Sequence, residues 1–422
     1  MKKFALLFAI ALLAIGVPNV RAQVKLLIPM DLKQTNDLKA YGVAYWSLER
    51  QTPVDWLLNY RGGSFMIDYT EELANECRIR DVLFEPLDGG AAAQIYADVQ
   101  SDDNNTDVVH LEKTPKMAVY VPPNFKPWDD AVTIALEYAQ IPYDKIWDDE
   151  VLQGKLSKYD WLHLHHEDFT GQYGKFYAQF STAPWYIQQV AMYEAEARKL
   201  GYSKVSDEKK AVARTIKQYI ADGGFVFTMC SATDTYDIAL AAENTDICDA
   251  IFDGDPMDPD AQQKLDFSKT LAFQNFTIEK NPMVYSFSNI NIQPEEAGSQ
   301  ENDYFTLFDF SAKFDPVPAM LTQDHVNVVK GFMGQTTGFH KEFIKQSVTI
   351  LGEREGTDQV KYIHGNYGKG TWTYLGGHDP EQYQHMVYSP PTDLDLHKDS
   401  PGYRLILNNV LFPAAKPKHL KT

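Results

Sequence analysis

Short apolar runs alternate with stretches of helical spacing along most of this chain. Val24 to Met30 reads as a strand, Asp37 to Gln51 as a helix and Val54 to Tyr60 as a second strand, broken by Arg61-Gly62-Gly63. A strand–helix–strand unit of that length predicts a parallel pair joined by a right-handed crossover. Tyr69 to Arg80 follows as a helix, and the acidic loop Ser101 to Asp107 suggests a boundary. A second series starts with a strand at Met117–Val121 and a helix at Asp129–Tyr138. It continues with a short edge at Asp144–Trp147, a strand at Trp161–His165, helices at Trp185–Leu200 and Glu208–Asp222, and a strand at Phe225–Met229. Such alternation predicts an α/β fold with a doubly wound, mainly parallel sheet and a βαβ N-terminal segment. From about residue 246 to 346 the pattern lapses into Pro, Asp, Asn and Gln, with a short strand at Met283–Phe287; an irregular insertion decorating the sheet is expected there. Strand signals return at Ser347–Leu351, Val360–His364 and Thr371–Leu375, before a last helix at Tyr403–Leu411. The expected division is 23–110 for the N-terminal segment and 111–415 for the main domain.

The N-terminus changes where this fold is expected to work. Lys2 and Lys3 precede an apolar run from Phe4 to Val17, and Val20-Arg21-Ala22 ends on a small residue. Residues 1–22 read as a secretory signal peptide, so the mature protein is expected in the periplasm or outside the cell. No Cys follows the apolar run, and no later run reaches the ~18 apolar residues of a membrane helix, so no membrane anchor is expected. The net charge of −19 becomes −22 without Lys2, Lys3 and Arg21, which argues against a nucleic-acid partner. Aromatic residues make up 13% of the chain, a supply that suits a small-molecule, glycan or partner-facing surface as well as a core.

Candidate chemistry centres on Gly223-Gly224-Phe225-Val226-Phe227-Thr228-Met229-Cys230-Ser231-Ala232. A short apolar strand ends in a thiol and turns into a helix-like stretch, the way a nucleophile elbow is built. Far downstream, Gly368-Lys369-Gly370 feeds a strand that ends at Gly377-His378-Asp379-Pro380-Glu381. Cys230 as nucleophile, His378 as base and Glu381 as orienter form a candidate set, with Asp379 a rival for Glu381. The plainer reading is that Cys230 is a small hydrophobe at the end of a buried strand. Three cysteines, Cys77, Cys230 and Cys248, are an odd number for an exported chain, and a Cys230–Cys248 bridge would disable the nucleophile.

On these motifs, together with Lys158-Tyr159-Asp160-Trp161-Leu162 entering a strand, the span Met117 to Pro413 resembles the class I glutamine amidotransferase-like superfamily. The resemblance implies a flavodoxin-like sheet and a Cys–His–Glu triad hydrolysing amide or related acyl bonds. The family's usual His-Pro-Glu is one residue longer here, and His165, His166, Glu167 and Asp168 stand where relatives often carry glycines, as candidate binding residues. A relative that kept the sheet and lost the triad would instead bind a glycan, peptidoglycan or protein of the bacterial envelope. The whole chain also resembles exported bacterial proteins labelled asparagine synthetase B, but that enzyme's N-terminal Cys and nucleotide-binding domain do not appear.

No organic cofactor is implied. A zinc-type ion could be held by His163, His165 and either Asp168 or Glu167, with His378 a further candidate from another strand, since His163 and His165 share one face of a strand. The acidic loop Asp253 to Asp260 lacks the closing Glu of an EF-hand, and Arg61-Gly62-Gly63-Ser64 lacks a nucleotide-loop spacing; both read as ordinary loops.

Overall fold

The computed structural model describes residues 25–123, 130–384, 386 and 389–416; the expected signal peptide lies outside them. The described residues build two sheets. The first comprises β1 (Lys25–Ile28), β2 (Val54–Leu58), β3 (Ser64–Asp68), β4 (Glu85–Leu87) and β5 (Asp107–Leu111), in the order β4-β1-β3-β2-β5. Every pairing in it is antiparallel, so the expected βαβ pair is corrected. β1 and β2 run the same way, but β3 lies between them. The physical reason is the turn at Arg61-Gly62-Gly63. Gly62 and Gly63 take φ of +75° and +87°, conformations open to glycine, and fold β2 back into a hairpin. Its returning strand, with Phe65, Met66 and Ile67 all buried, is apolar enough to claim the centre of the sheet.

The second sheet has ten strands: β6 (Met117–Tyr120), β7 (Asp144–Ile146), β8 (Trp161–Leu164), β9 (Phe225–Met229), β10 (Tyr304–Leu307), β11 (Val328–Lys330), β12 (Phe339–His340), β13 (Thr349–Glu353), β14 (Gln359–Tyr367) and β15 (Gly370–Leu375). Its order is β11-β10-β13-β14-β15-β9-β8-β6-β7, with β12 alongside β14. The pairs along β7-β6-β8-β9-β15 are parallel, and those from β15 outward are antiparallel. The α/β class stands, with a partly parallel sheet. "Mainly parallel" does not, because the β14–β15 hairpin and the strands of the insertion all pair in the antiparallel sense. The insertion is thus partly sheet, through β10 and β11, although the strand expected at Met283–Phe287 does not form.

Side-chain alternation along the parallel strands feeds two cores. Met117, Val119, Trp161, Phe225, Phe227 and Met229 face a core shared with the Asp37–Glu49, Ala131–Tyr138 and Pro401–Leu411 helices and with the first sheet. Ala118, Tyr120, Leu162, Leu164 and Val226 face the opposite core, under the Pro184–Lys199, Val205–Asp222 and Ala232–Ala241 helices. Arg404, fully buried on the last helix, ties the sheets together. It donates to the carbonyls of Met30 (2.8 Å) and Gly62, with the Asp37 and Asp324 carboxylates at 3.7 and 3.9 Å.

Candidate active site

β9 ends at Met229, and the next residue, Cys230, has φ +51°. A non-glycine residue in that region costs about 1–3 kcal/mol and persists only where its surroundings enforce it. Here they do. Cys230 N–H donates to the Gly377 carbonyl (3.1 Å), and three successive carbonyls of the segment after β8 accept from the elbow. His165 accepts from Ala232 N–H (3.1 Å), His166 from the Ser231 hydroxyl (2.9 Å) and Glu167 from the Thr235 hydroxyl (3.1 Å). The elbow is therefore clamped between the ends of β8 and β15. All three cysteines are free, so no Cys230–Cys248 bridge forms.

The sulfur lies under a cover supplied by the insertion. Cys230 is 2% exposed, and its Sγ accepts from Gln335 N–H at 3.3 Å. A Cβ on Gly334 would stand 3.0 Å from that sulfur and 2.9 Å from the His378 backbone nitrogen, so only glycine lets the loop come this close. The loop is held from every side. Thr336 Oγ1 donates to Asp234 (2.8 Å), Asn291 bonds Gln335 O and Thr337 N–H (2.7 and 2.8 Å), and Gln335 Nε2 donates to Gly174 O (2.7 Å). Beneath it, the Lys361 ammonium donates to the Phe332 and Thr337 carbonyls. Burial pushes Lys361 down to about 8, against the pull of Asp303 and Cys230. Burial likewise raises the Cys230 thiol, while the N–H groups of Thr336, Gln335 and Ser231 favour its thiolate without cancelling the rise.

Three histidines converge beside the elbow. The His378 ring lies 4.4 Å from the His165 ring, edge to face, and stacks on the His166 ring at 5.6 Å. Behind them stands Asp130, which caps the Ala131–Tyr138 helix through Val132 and Thr133 N–H groups. Its carboxylate reaches His163 Nε2 at 3.2 Å and His165 Nδ1 at 3.3 Å. Burial would raise the Asp130 carboxyl, but His165 and His163 outweigh it and hold the group well below the usual carboxylate range. Asp130 follows β6 and His165 follows β8, so the cluster occupies the carboxyl ends of adjacent parallel strands.

Other candidates from the sequence take different partners. Glu381 pairs with His397 at 3.0 Å, and Asp379 accepts from Thr392 (2.7 Å) and Tyr403 (2.9 Å) hydroxyls. The longer His-Asp-Pro-Glu spacing carries both carboxylates toward the last helix. Asp168 accepts from Thr170 N–H (2.7 Å) and Gly174 N–H (3.0 Å), closing its own turn, so Asp130 replaces it beside His163 and His165. Glu167 accepts from Tyr193 at 3.3 Å, and burial raises its carboxyl to about 8. With His166, Asp168, Tyr173, Phe176, Gln189 and Tyr193 it lines a small pocket. The acidic loop pairs with Lys204 and Lys264, and Arg61 with Asp31 and Glu85, so both are engaged in ion pairs within the protein. Asp130, Asp234, Gln335 and Lys361 were not legible as site residues. Only Asp130 carried a signal, as a carboxylate at the start of a helix.

No family model matches the chain, and no curated protein matches it. Among solved structures, two cytoplasmic proteins from Salmonella typhimurium align over 72% and 71% of this chain and the whole of each, at 8% and 11% identity, both with a TM-score of 0.34. Gan42B, a GH42 β-galactosidase from G. stearothermophilus, aligns over 63% of this chain and 28% of its own, at 11% identity and a TM-score of 0.27. Scores this low carry no argument, which leaves function to the geometry of the site. No helix among the described residues is long and apolar enough to cross a membrane.

Proposed function

We propose that this protein is an exported thiol hydrolase of amide or related acyl bonds, with Cys230 as nucleophile and His378 as base. The observation that carries the reading is the enforced φ of +51° at Cys230, on a strand-to-helix turn whose N–H is bonded to Gly377, the neighbour of His378. The order β7-β6-β8-β9-β15 along the parallel strands, with helices over both faces, supports a doubly wound, flavodoxin-like unit of the glutamine amidotransferase-like kind.

In this mechanism the Cys230 thiol gives its proton to His378 as Sγ attacks the substrate carbonyl carbon. His378 returns that proton to the leaving amine when the C–N bond breaks, and water then hydrolyses the thioester. His165, held by Asp130, takes the orienting place that Glu381 leaves vacant by pairing with His397. Because the loop around Gln335 covers the sulfur, substrate entering the His166–Tyr193 pocket has to displace it.

The covered sulfur and the displaced Glu381 favour a second reading: an inactive binding module for a glycan, peptidoglycan or protein partner, using the Tyr- and Phe-lined pocket. A panel of acyl and amide substrates, followed by intact mass, separates the two. The hydrolase reading expects an acyl adduct on Cys230 that is lost in Cys230→Ala and slowed in His378→Ala. Turnover that is unchanged in Cys230→Ala would sink the mechanism. An inert thiol together with retention of a glycan by the pocket would establish the binding module.

A further inference from the structure

Asp130, His163 and His165 form a group of which the hydrolase reading uses only the contact between Asp130 and His165. All three are at most 2% exposed. The Asp130 carboxylate oxygens stand 3.2 Å from His163 Nε2 and 3.3 Å from His165 Nδ1. Both contacts are long for a charge-assisted hydrogen bond, and His163 Nε2 and His165 Nδ1 have no well-aligned hydrogen-bond partner among the described residues. The three donor atoms lie within 4.8 Å of one another.

Tautomer chemistry sharpens the point. His163 Nδ1 lies 3.1 Å from the Phe227 carbonyl, which can only accept, so Nδ1 carries a hydrogen. A neutral His163 then turns the Nε2 lone pair toward a buried carboxylate. Two facing lone pairs in an apolar interior repel each other unless a positive charge stands between them. A proton on Nε2 supplies that charge as an imidazolium, and a cation held between the two groups supplies it as well. The two carboxylate–imidazole separations, 3.2 and 3.3 Å, match the edge of a coordination polyhedron with ~2.1 Å bonds.

The surroundings agree. The His163 ring is sandwiched by Trp161 and Phe227 at 5.8 and 5.7 Å, and its Nδ1–H on a backbone carbonyl is the usual outer support of a metal-bound imidazole. Asp130 is oriented by Val132 and Thr133 N–H groups at 2.8 and 3.2 Å.

We infer that Asp130, His163 and His165 bind a divalent first-row transition ion of the zinc type. Two imidazoles and one carboxylate are the donor set of such ions, and three protein ligands leave positions open for water or substrate. The site stands whether or not Cys230 is a nucleophile.

The test uses the full chain, stripped with chelator and reloaded with Co²⁺ or Zn²⁺ alone. One equivalent is expected to remain after gel filtration. X-ray absorption of the wild type should show N/O ligation with two imidazoles and no sulfur. Asp130→Asn and His163→Gln should each weaken binding ~10-fold or more, and Cys230→Ala should leave it unaltered. Failure of the wild type to retain either ion overturns the inference without using a variant. So does a spectrum with sulfur or three imidazoles, or binding that survives His163→Gln and is lost in His166→Ala, since the ion would then sit among His165, His166 and His378.

Discussion

Glu167 offers the clearest quantitative test, because its carboxyl is buried, lines the pocket and has one identified side-chain partner. Burial lifts it from an ordinary 4.5 to about 8; Lys209 opposes the rise and Asp148 adds to it. For a carboxyl raised in this way the folded state binds the extra proton, so stability is complete below about 4.5 and falls as pH climbs toward about 8. The interval is worth at most roughly 5 kcal/mol, at about 1.4 kcal/mol per tenfold. Glu167→Gln keeps the shape, leaves the backbone carbonyl bonded to Thr235, and removes the titration. Urea unfolding from about pH 5 to about pH 9 should show the variant gaining on wild type through that window, with the difference levelling near pH 8. Curves for the two proteins that run parallel across the whole range would mean that Glu167 is hydrated or already ionised. The claim of a neutral acid in the pocket wall would then be wrong.

Three further outcomes are expected. Gly334→Ala should push the covering loop off Cys230, because its Cβ would stand 3.0 Å from the sulfur; iodoacetamide should then alkylate the thiol faster and melting should occur at lower temperature. Arg404→Met should cost about 3–5 kcal/mol in chemical denaturation, since it takes the guanidinium from the buried Asp37 and Asp324 carboxylates and leaves them only His325. Glu381→Gln should change stability by no more than ~1 kcal/mol and leave Cys230 alkylation as it was, because its partner His397 is 36% exposed at the side chain; a slowed alkylation would return Glu381 to the triad.

Local pattern carried much of the architecture. The helix at Val205–Asp222 and the strands at Phe225–Met229 and Gly370–Leu375 follow from apolar spacing and from glycine stops such as Gly223, all properties of neighbouring residues. So does the elbow, since a strand, a Cys and a small-residue turn are adjacent in sequence. Pairing is a different matter. Whether β1 meets β2 or β3 depends on which apolar strand completes the shared core, and the Gly62-Gly63 turn admits the hairpin that settles it.

The site shows the same division. Cys230, His165, His166 and His378 were legible because each ends a recognisable strand. Asp130 reaches His163 only because β6 and β8 lie side by side, and Glu381 leaves His378 because the last helix draws His-Asp-Pro-Glu toward His397. Gln335 and Lys361 act on Cys230 from more than one hundred residues away in the chain, through a loop with no periodicity of its own. Sequence by itself determined the elements and the reactive residue types. The tertiary structure alone decided which of them touch, because contacts between distant segments are set by the closing of the sheet and the burial of its two faces, and no short window of residues encodes either.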